Sequence, residues 1–120
     1  MLLVEDNRVN QKLMQLLLTK IGVVAMMADN GAAALEMVRD RTFNLILMDL
    51  HMPGMDGMEA AVRIRELLAQ RCPPIVALTA DAMRGSAEAA LDGGLDGYLT
   101  KPVSAETLRQ CIMRHTGILL

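Results

Sequence analysis

The sequence predicts an α/β domain, a doubly wound parallel sheet of five strands wrapped by five helices, and three observations carry that prediction. Short, almost wholly apolar runs alternate with amphipathic stretches of helical period along the whole chain. The runs lack the polar alternation of a half-exposed sheet, as expected of strands covered on both faces. The chain has 120 residues, of which 52% are hydrophobic, enough for one core and one domain.

The predicted strands are Met1 to Val4, Val23 to Ala28, Leu45 to Met48, Ile75 to Leu78 and Gly97 to Leu99. Between the first two, Val9, Leu13, Leu16 and Leu17 recur at helical spacing and form the expected buried face, while Asn10, Gln11 and Gln15 face elsewhere. Gly22 supplies the stop. Asn30 caps a second helix with Ala34, Leu35 and Val38 inward, and Ala61, Ile64 and Leu68 mark a third, broken by Cys72, Pro73 and Pro74. A weaker, alanine-rich fourth helix is expected from Met83 to Leu91. Ser104 caps the last, with Leu108, Cys111 and Ile112 inward. Right-handed crossovers leave few topologies, among them the flavodoxin-like order 2-1-3-4-5.

Several function classes drop out. A net charge of -2 and arginines that form no helical stripe argue against direct nucleic-acid binding. The apolar runs are far too short to span a bilayer, and no signal peptide is visible, so the domain reads as cytoplasmic, without membrane contact of its own. Cys72 and Cys111 lack metal spacing and read as reduced structural thiols. Eleven methionines against one phenylalanine, one tyrosine and no tryptophan predict a core filled by flexible thioethers instead of rings. A first strand beginning at Met1 and an apolar end, Ile118 to Leu120, suggest a domain cut from a longer chain.

In open parallel sheets, ligands sit beyond the carboxyl ends of the strands, where the strand order reverses. Five polar residues stand at those ends: Glu5 and Asp6 after strand one, Asp49 ending strand three, Thr79 ending strand four, and Lys101 after strand five. Asp6 alone reads equally as a helix cap. Together, three converging carboxylates would repel by about 4 kcal/mol per close pair at an effective dielectric of ~20, and so require a cation. An all-oxygen site of this kind suits Mg²⁺, and the added ammonium and hydroxyl suit a transferring phosphoryl group with Asp49 as its nucleophile.

These residues carry a family resemblance. LLVEDN at 2 to 7, LILMDLHMPGMDG at 45 to 57, IVALTA at 75 to 80 and GYLTKP at 97 to 102 stand in the order and spacing of the receiver domains of two-component response regulators. The resemblance implies that Asp49 accepts a phosphoryl group from a histidine kinase or a histidine phosphotransfer protein. It implies Mg²⁺ held by Asp6, Asp49 and the main-chain carbonyl of His51, with Glu5 acting through water, and phosphoryl oxygens bound by Thr79 and Lys101.

It further implies a cis peptide before Pro102, a switch made by Thr79 and Tyr98, and positions at His51 and Asp81 that tune hydrolysis. Read by themselves, His51 is a solvated loop residue, Tyr98 a packed or rim aromatic, and Asp56 part of a turn. NRVNQ after the acidic pair and ALTADAM after the fourth strand most resemble receivers of hybrid sensor histidine kinases. The domain is expected to be a monomer or weak dimer.

Three alternatives stand beside that reading. A stand-alone regulator shares the same motifs. A phosphatase using an aspartyl phosphate would carry a second aspartate where His51 stands. A pseudo-receiver would lack an acidic or lysine position, and here all are present.

Overall fold

Parallel pairing runs through the whole sheet, in the order β2-β1-β3-β4-β5. The computed structural model describes residues 1–50, 57–80 and 93–120. Its strands are β1 (Leu2–Val4), β2 (Met26–Ala28), β3 (Ile46–Asp49), β4 (Ile75–Thr79) and β5 (Gly97–Thr100). Its helices are α1 (Arg8–Lys20), α2 (Gly31–Asp40), α3 (Gly57–Leu68) and α4 (Ala105–Thr116), with a 3₁₀ turn at Ala69–Arg71. The further helix expected from Met83 to Leu91 lies outside the described residues.

Strict period-two alternation divides the core between the two faces of the sheet. Leu2, Val4, Ile46, Met48, Ile75 and Ala77 pack with Ala34, Val38, Ala60, Ala61 and Ile64 of α2 and α3. Leu3, Leu47, Val76, Leu78 and Leu99 pack with Met14 and Leu18 of α1 and Leu108, Cys111 and Ile112 of α4. Carried one step past the last apolar residue, the alternation gives Glu5, Asp49 and Lys101 the phase of Leu3, Leu47 and Leu99. Three charges from three strands therefore emerge on one side of the sheet.

Three expectations are corrected. The buried stripe of α1 is Met14 and Leu18, whereas Val9, Leu13 and Leu16 are exposed. The helix is apolar on two sides, and period alone does not choose which side meets the sheet. β2 contains only Met26–Ala28, because pairing with β1 begins at Leu2↔Met26, and Val24 is exposed. The core is built of Leu, Ile, Val and Ala. Among the described methionines only Met14 and Met48 are buried, while Met1, Met26, Met27, Met37 and Met58 pack at its margins.

The caps sharpen the reading of Asp6. Asn7 is the N-cap of α1 and accepts from the Asn10 N–H at 3.0 Å, so Asp6 is not needed for that role. Asn30 and Ser104 cap α2 and α4 as expected. Gly22 takes φ 84° just beyond α1, a left-handed conformation that suits a glycine stop. Both cysteines are free thiols, and burial pushes both up from their ordinary value.

Candidate functional site

The acidic residues converge at the carboxyl ends of the two central strands. Glu5, Asp6 and Asp49 each present a carboxylate oxygen, all within 4.8 Å of one another. Glu5 and Asp49 are buried, at 1% and 2% exposure, and Thr79 is fully buried beside them at the end of β4. Lys101 Nζ reaches in from the end of β5, 3.3 Å from Asp49 Oδ2 and 3.4 Å from Glu5 Oε2. Its backbone N–H donates to the Thr79 carbonyl at 2.8 Å, tying the lysine to the threonine strand. The Lys101–Pro102 peptide is cis, as the resemblance implies.

One ammonium faces two buried carboxylates, and the electrostatics of Glu5 reflect the imbalance. Burial pushes the Glu5 carboxyl up from its ordinary value, and a hydrogen bond with Asp49 adds to this; the Asn10 amide and Lys101 pull the other way. An acidic cluster that raises a carboxyl pKa in this way is relieved by a proton or by a cation. The donors are all oxygens, so the ion they fit is a hard divalent cation.

The first turn of α1 grips Glu5. Its Oε1 accepts from Asn10 Nδ2 at 3.1 Å and from the Asn7 N–H at 3.3 Å. Gln11 Nε2 donates to the Glu5 carbonyl at 2.5 Å and to Asp29 Oδ1 at 2.8 Å, joining β1 to the segment after β2. Asn10 and Gln11 thus point at the acidic pair, a correction to the expectation that they face elsewhere. Sequence reasoning missed them because they were judged against the apolar stripe. The readable signal was two amides one helical turn beyond an acidic pair.

Beside the cluster opens a mostly apolar cavity of about 240 Å³, walled by Leu13, Leu17, Pro102 and Val103, with Glu5, Asn10 and Lys101 at its polar end. Tyr98 is 43% exposed on β5, so it is a surface residue and not part of the core. His51, Asp56 and Asp81 lie outside the described residues.

The sequence pattern of the response regulator receiver domain matches residues 1–113. The chain belongs to this family. As a receiver domain it is 44% identical over 99% of its length to the sensor histidine kinase GacS of Pseudomonas protegens, of which it spans 13%. It is 39% identical over 93% of its length to the histidine-protein kinase BarA of Escherichia coli K12, spanning 12% of that protein.

Among solved structures it resembles the receiver domain of the sensor histidine kinase PA1611 of Pseudomonas aeruginosa, crystallised with a magnesium ion coordinated in the active-site cleft. Identity is 36%, the TM-score is 0.89, and the match covers 98% of this chain and 96% of the other. A second match comes from the co-crystal of the Saccharomyces cerevisiae phosphotransfer protein Ypd1 with the receiver domain of Ssk1, at 34% identity and TM-score 0.87, covering 97% and 87%. The chain's relatives also include the hybrid signal transduction histidine kinase I of Dictyostelium discoideum, 41% identical over 92% of this chain, which spans 7% of that protein, in agreement with the reading of NRVNQ and ALTADAM.

Proposed function

We propose that this receiver domain accepts a phosphoryl group on Asp49 from a phosphohistidine, in a reaction that depends on Mg²⁺, and thereby switches a protein-interaction surface. The observation that carries the reading is the position of Asp49, buried at the end of β3 with Lys101 Nζ at 3.3 Å and two further carboxylates within 4.8 Å. A buried carboxylate with an ammonium beside it, in a cation-demanding cluster, is equipped to receive a highly charged group.

Glu5, Asp6 and Asp49, with the His51 carbonyl that the family resemblance supplies, would hold Mg²⁺, whose charge would offset that of the phosphoryl oxygens. Asp49 provides the attacking carboxylate oxygen. An O–P bond forms to Asp49 as the N–P bond of the phosphohistidine breaks, and the imidazole leaves with the electron pair of that bond. Lys101 places its ammonium against the carboxylate and a phosphoryl oxygen, and the Thr79 hydroxyl donates to another. The family resemblance implies that His51 and Asp81 tune how fast water removes the group.

The product adds nearly two negative charges to the site, enough to bias an element with a gap of a few kcal/mol. Thr79 turns toward the phosphoryl group, and Tyr98 moves inward from its exposed position on β5. With no tryptophan in the chain, Tyr98 fluorescence reports the change cleanly. The donor is a histidine kinase or a phosphotransfer protein, seated over the cavity walled by Leu13, Leu17, Pro102 and Val103. We place the domain in the cytoplasm, where its free thiols remain reduced, as one part of a longer kinase.

Incubation with acetyl phosphate and Mg²⁺, followed by intact-mass measurement, tests the reading. One phosphoryl increment, lost in Asp49→Asn and accompanied by a Tyr98 fluorescence change, is the expected result. Steady turnover without an increment would instead identify a phosphatase, and no increment would identify a partner-binding pseudo-receiver.

A further inference from the structure

The Glu5 carboxylate is held with its two oxygens doing different things. Oε1 is occupied on the α1 side, accepting from Asn10 Nδ2 at 3.1 Å and the Asn7 N–H at 3.3 Å. Oε2 is turned the other way, 3.4 Å from Lys101 Nζ, which itself lies 3.3 Å from Asp49 Oδ2. The Asn7 bond comes from the main chain and is fixed by the cap. Asn10 therefore supplies the one side-chain donor to Oε1 that α1 contributes, and it does so from the half-buried polar end of the cavity beside the cluster.

We infer that Asn10 is a positioning residue for the metal-binding cluster: by holding Oε1 it fixes the rotation of the Glu5 carboxylate so that Oε2 is presented to the cation. The inference rests on the proposed function above, because it assumes that the cluster holds Mg²⁺. Its physical basis is geometric. A glutamate has three side-chain torsions, and a carboxylate pinned at one oxygen loses little further freedom when the other engages a cation or its water. Gln11 adds to the same grip through its side-chain amide, whose Nε2 donates to the Glu5 main-chain carbonyl and to Asp29 Oδ1. The position in the chain explains the spacing: five residues after Glu5, Asn10 lies in the first turn of α1, directly over the residue that leads into it.

Substitution at Asn10 leaves the cap intact, since Asn7 Oδ1 accepts from the Asn10 backbone N–H and not from its side chain. Asn10→Ala removes the donor, and Asn10→Leu removes it while keeping the size of the side chain and the net charge. Titration calorimetry with Mg²⁺ alone on the purified domain should show dissociation constants raised roughly tenfold in both variants, the loss of one hydrogen bond to a charged group.

Melting in chelator separates this from a structural role: a merely structural Asn10 would lower the metal-free melting temperature and leave the Mg²⁺ constant of the folded protein within about twofold of wild type. That outcome, in either variant, overturns the inference. If wild type binds Mg²⁺ and takes up phosphate while both variants bind Mg²⁺ as wild type does, this inference fails and the proposed function stands. A wild-type domain that binds no Mg²⁺ overturns both.

Discussion

Gly57 packs directly against the main chain of Asp49: a Cβ there would lie 2.2 Å from the Asp49 carbonyl oxygen and 2.7 Å from Leu50 Cα. The start of α3 thus sits against the very end of β3. Both neighbours are backbone, so no side chain can swing away to make room.

Gly57→Ala should therefore move either the helix or the strand end. Overpacking of this kind costs about 1 to 3 kcal/mol. Urea unfolding should show that loss, and Mg²⁺ affinity should weaken with it because Asp49 is displaced. Unchanged stability and unchanged metal affinity would mean that α3 shifts freely without disturbing β3.

Glu5 makes stability depend on pH in an unusual direction. Its folded-state pKa is raised, first by burial and then by the hydrogen bond with Asp49, so the folded protein holds a proton that the unfolded chain releases. Without metal, this group's contribution to stability is greatest at or below the ordinary glutamate range. It is lost as pH rises from there through the raised value. Glu5→Gln keeps an acceptor for Asn10 and gains a donor for Asp49. In chelator it should exceed wild type in stability at pH 7.5, by on the order of 1 kcal/mol, and lose the advantage near pH 4. Saturating Mg²⁺ should remove the wild-type slope. Thermal melts across that range, with and without metal, check it.

What the sequence made legible follows from which periodicities are unambiguous. Strands buried on both faces declare themselves as apolar runs, and Asp49, ending one such run, stands out because a carboxylate there is costly. The topology then brings together Glu5, Asp6, Asp49, Thr79 and Lys101 from widely separated stretches. The supporting amides of Asn10 and Gln11 were harder to see, because a polar residue on an amphipathic helix reads as solvated until the fold shows what stands opposite. The ends of the edge strand β2 were blurred for a related reason: Val23 to Ala25 carry strand-forming side chains, but β1 offers partners only from Leu2 onward. The approach of Gly57 to Asp49 leaves no pattern in a single sequence beyond the glycine itself.

The two-sided apolar character of α1 yields a direct contrast. Leu18 is 1% exposed against the sheet, whereas Leu16 is 69% exposed on the opposite side. Leu18→Ala should cost about 2 to 5 kcal/mol, and Leu16→Ala should stay within about 0.5 kcal/mol of wild type. Equal losses in urea titrations would mean that the exposed face of α1 is covered in solution.

Asp96 joins three elements through one oxygen. Its Oδ2 accepts from Arg65 Nη2 of α3 at 2.5 Å and from the Ile75 N–H at 2.8 Å, while its own backbone N–H donates to the Ile75 carbonyl at 2.9 Å. Ile75 opens β4, and its side chain is fully buried. The Arg65 pair alone is half-exposed and worth little. The Ile75 N–H is different, since removing its acceptor leaves a main-chain donor unpaired at the entrance to a central strand, at a cost of about 1 to 3 kcal/mol.

Asp96→Ala should thus destabilise by that amount, and Asp96→Asn, which keeps an acceptor oxygen, should recover most of it. High salt should leave the difference between the two variants nearly unchanged, because the decisive bond is a hydrogen bond to the backbone rather than an ion pair. Denaturant titrations of both variants at low and high ionic strength separate the two contributions. Equal stability of Asp96→Ala and Asp96→Asn would assign the whole effect to Arg65.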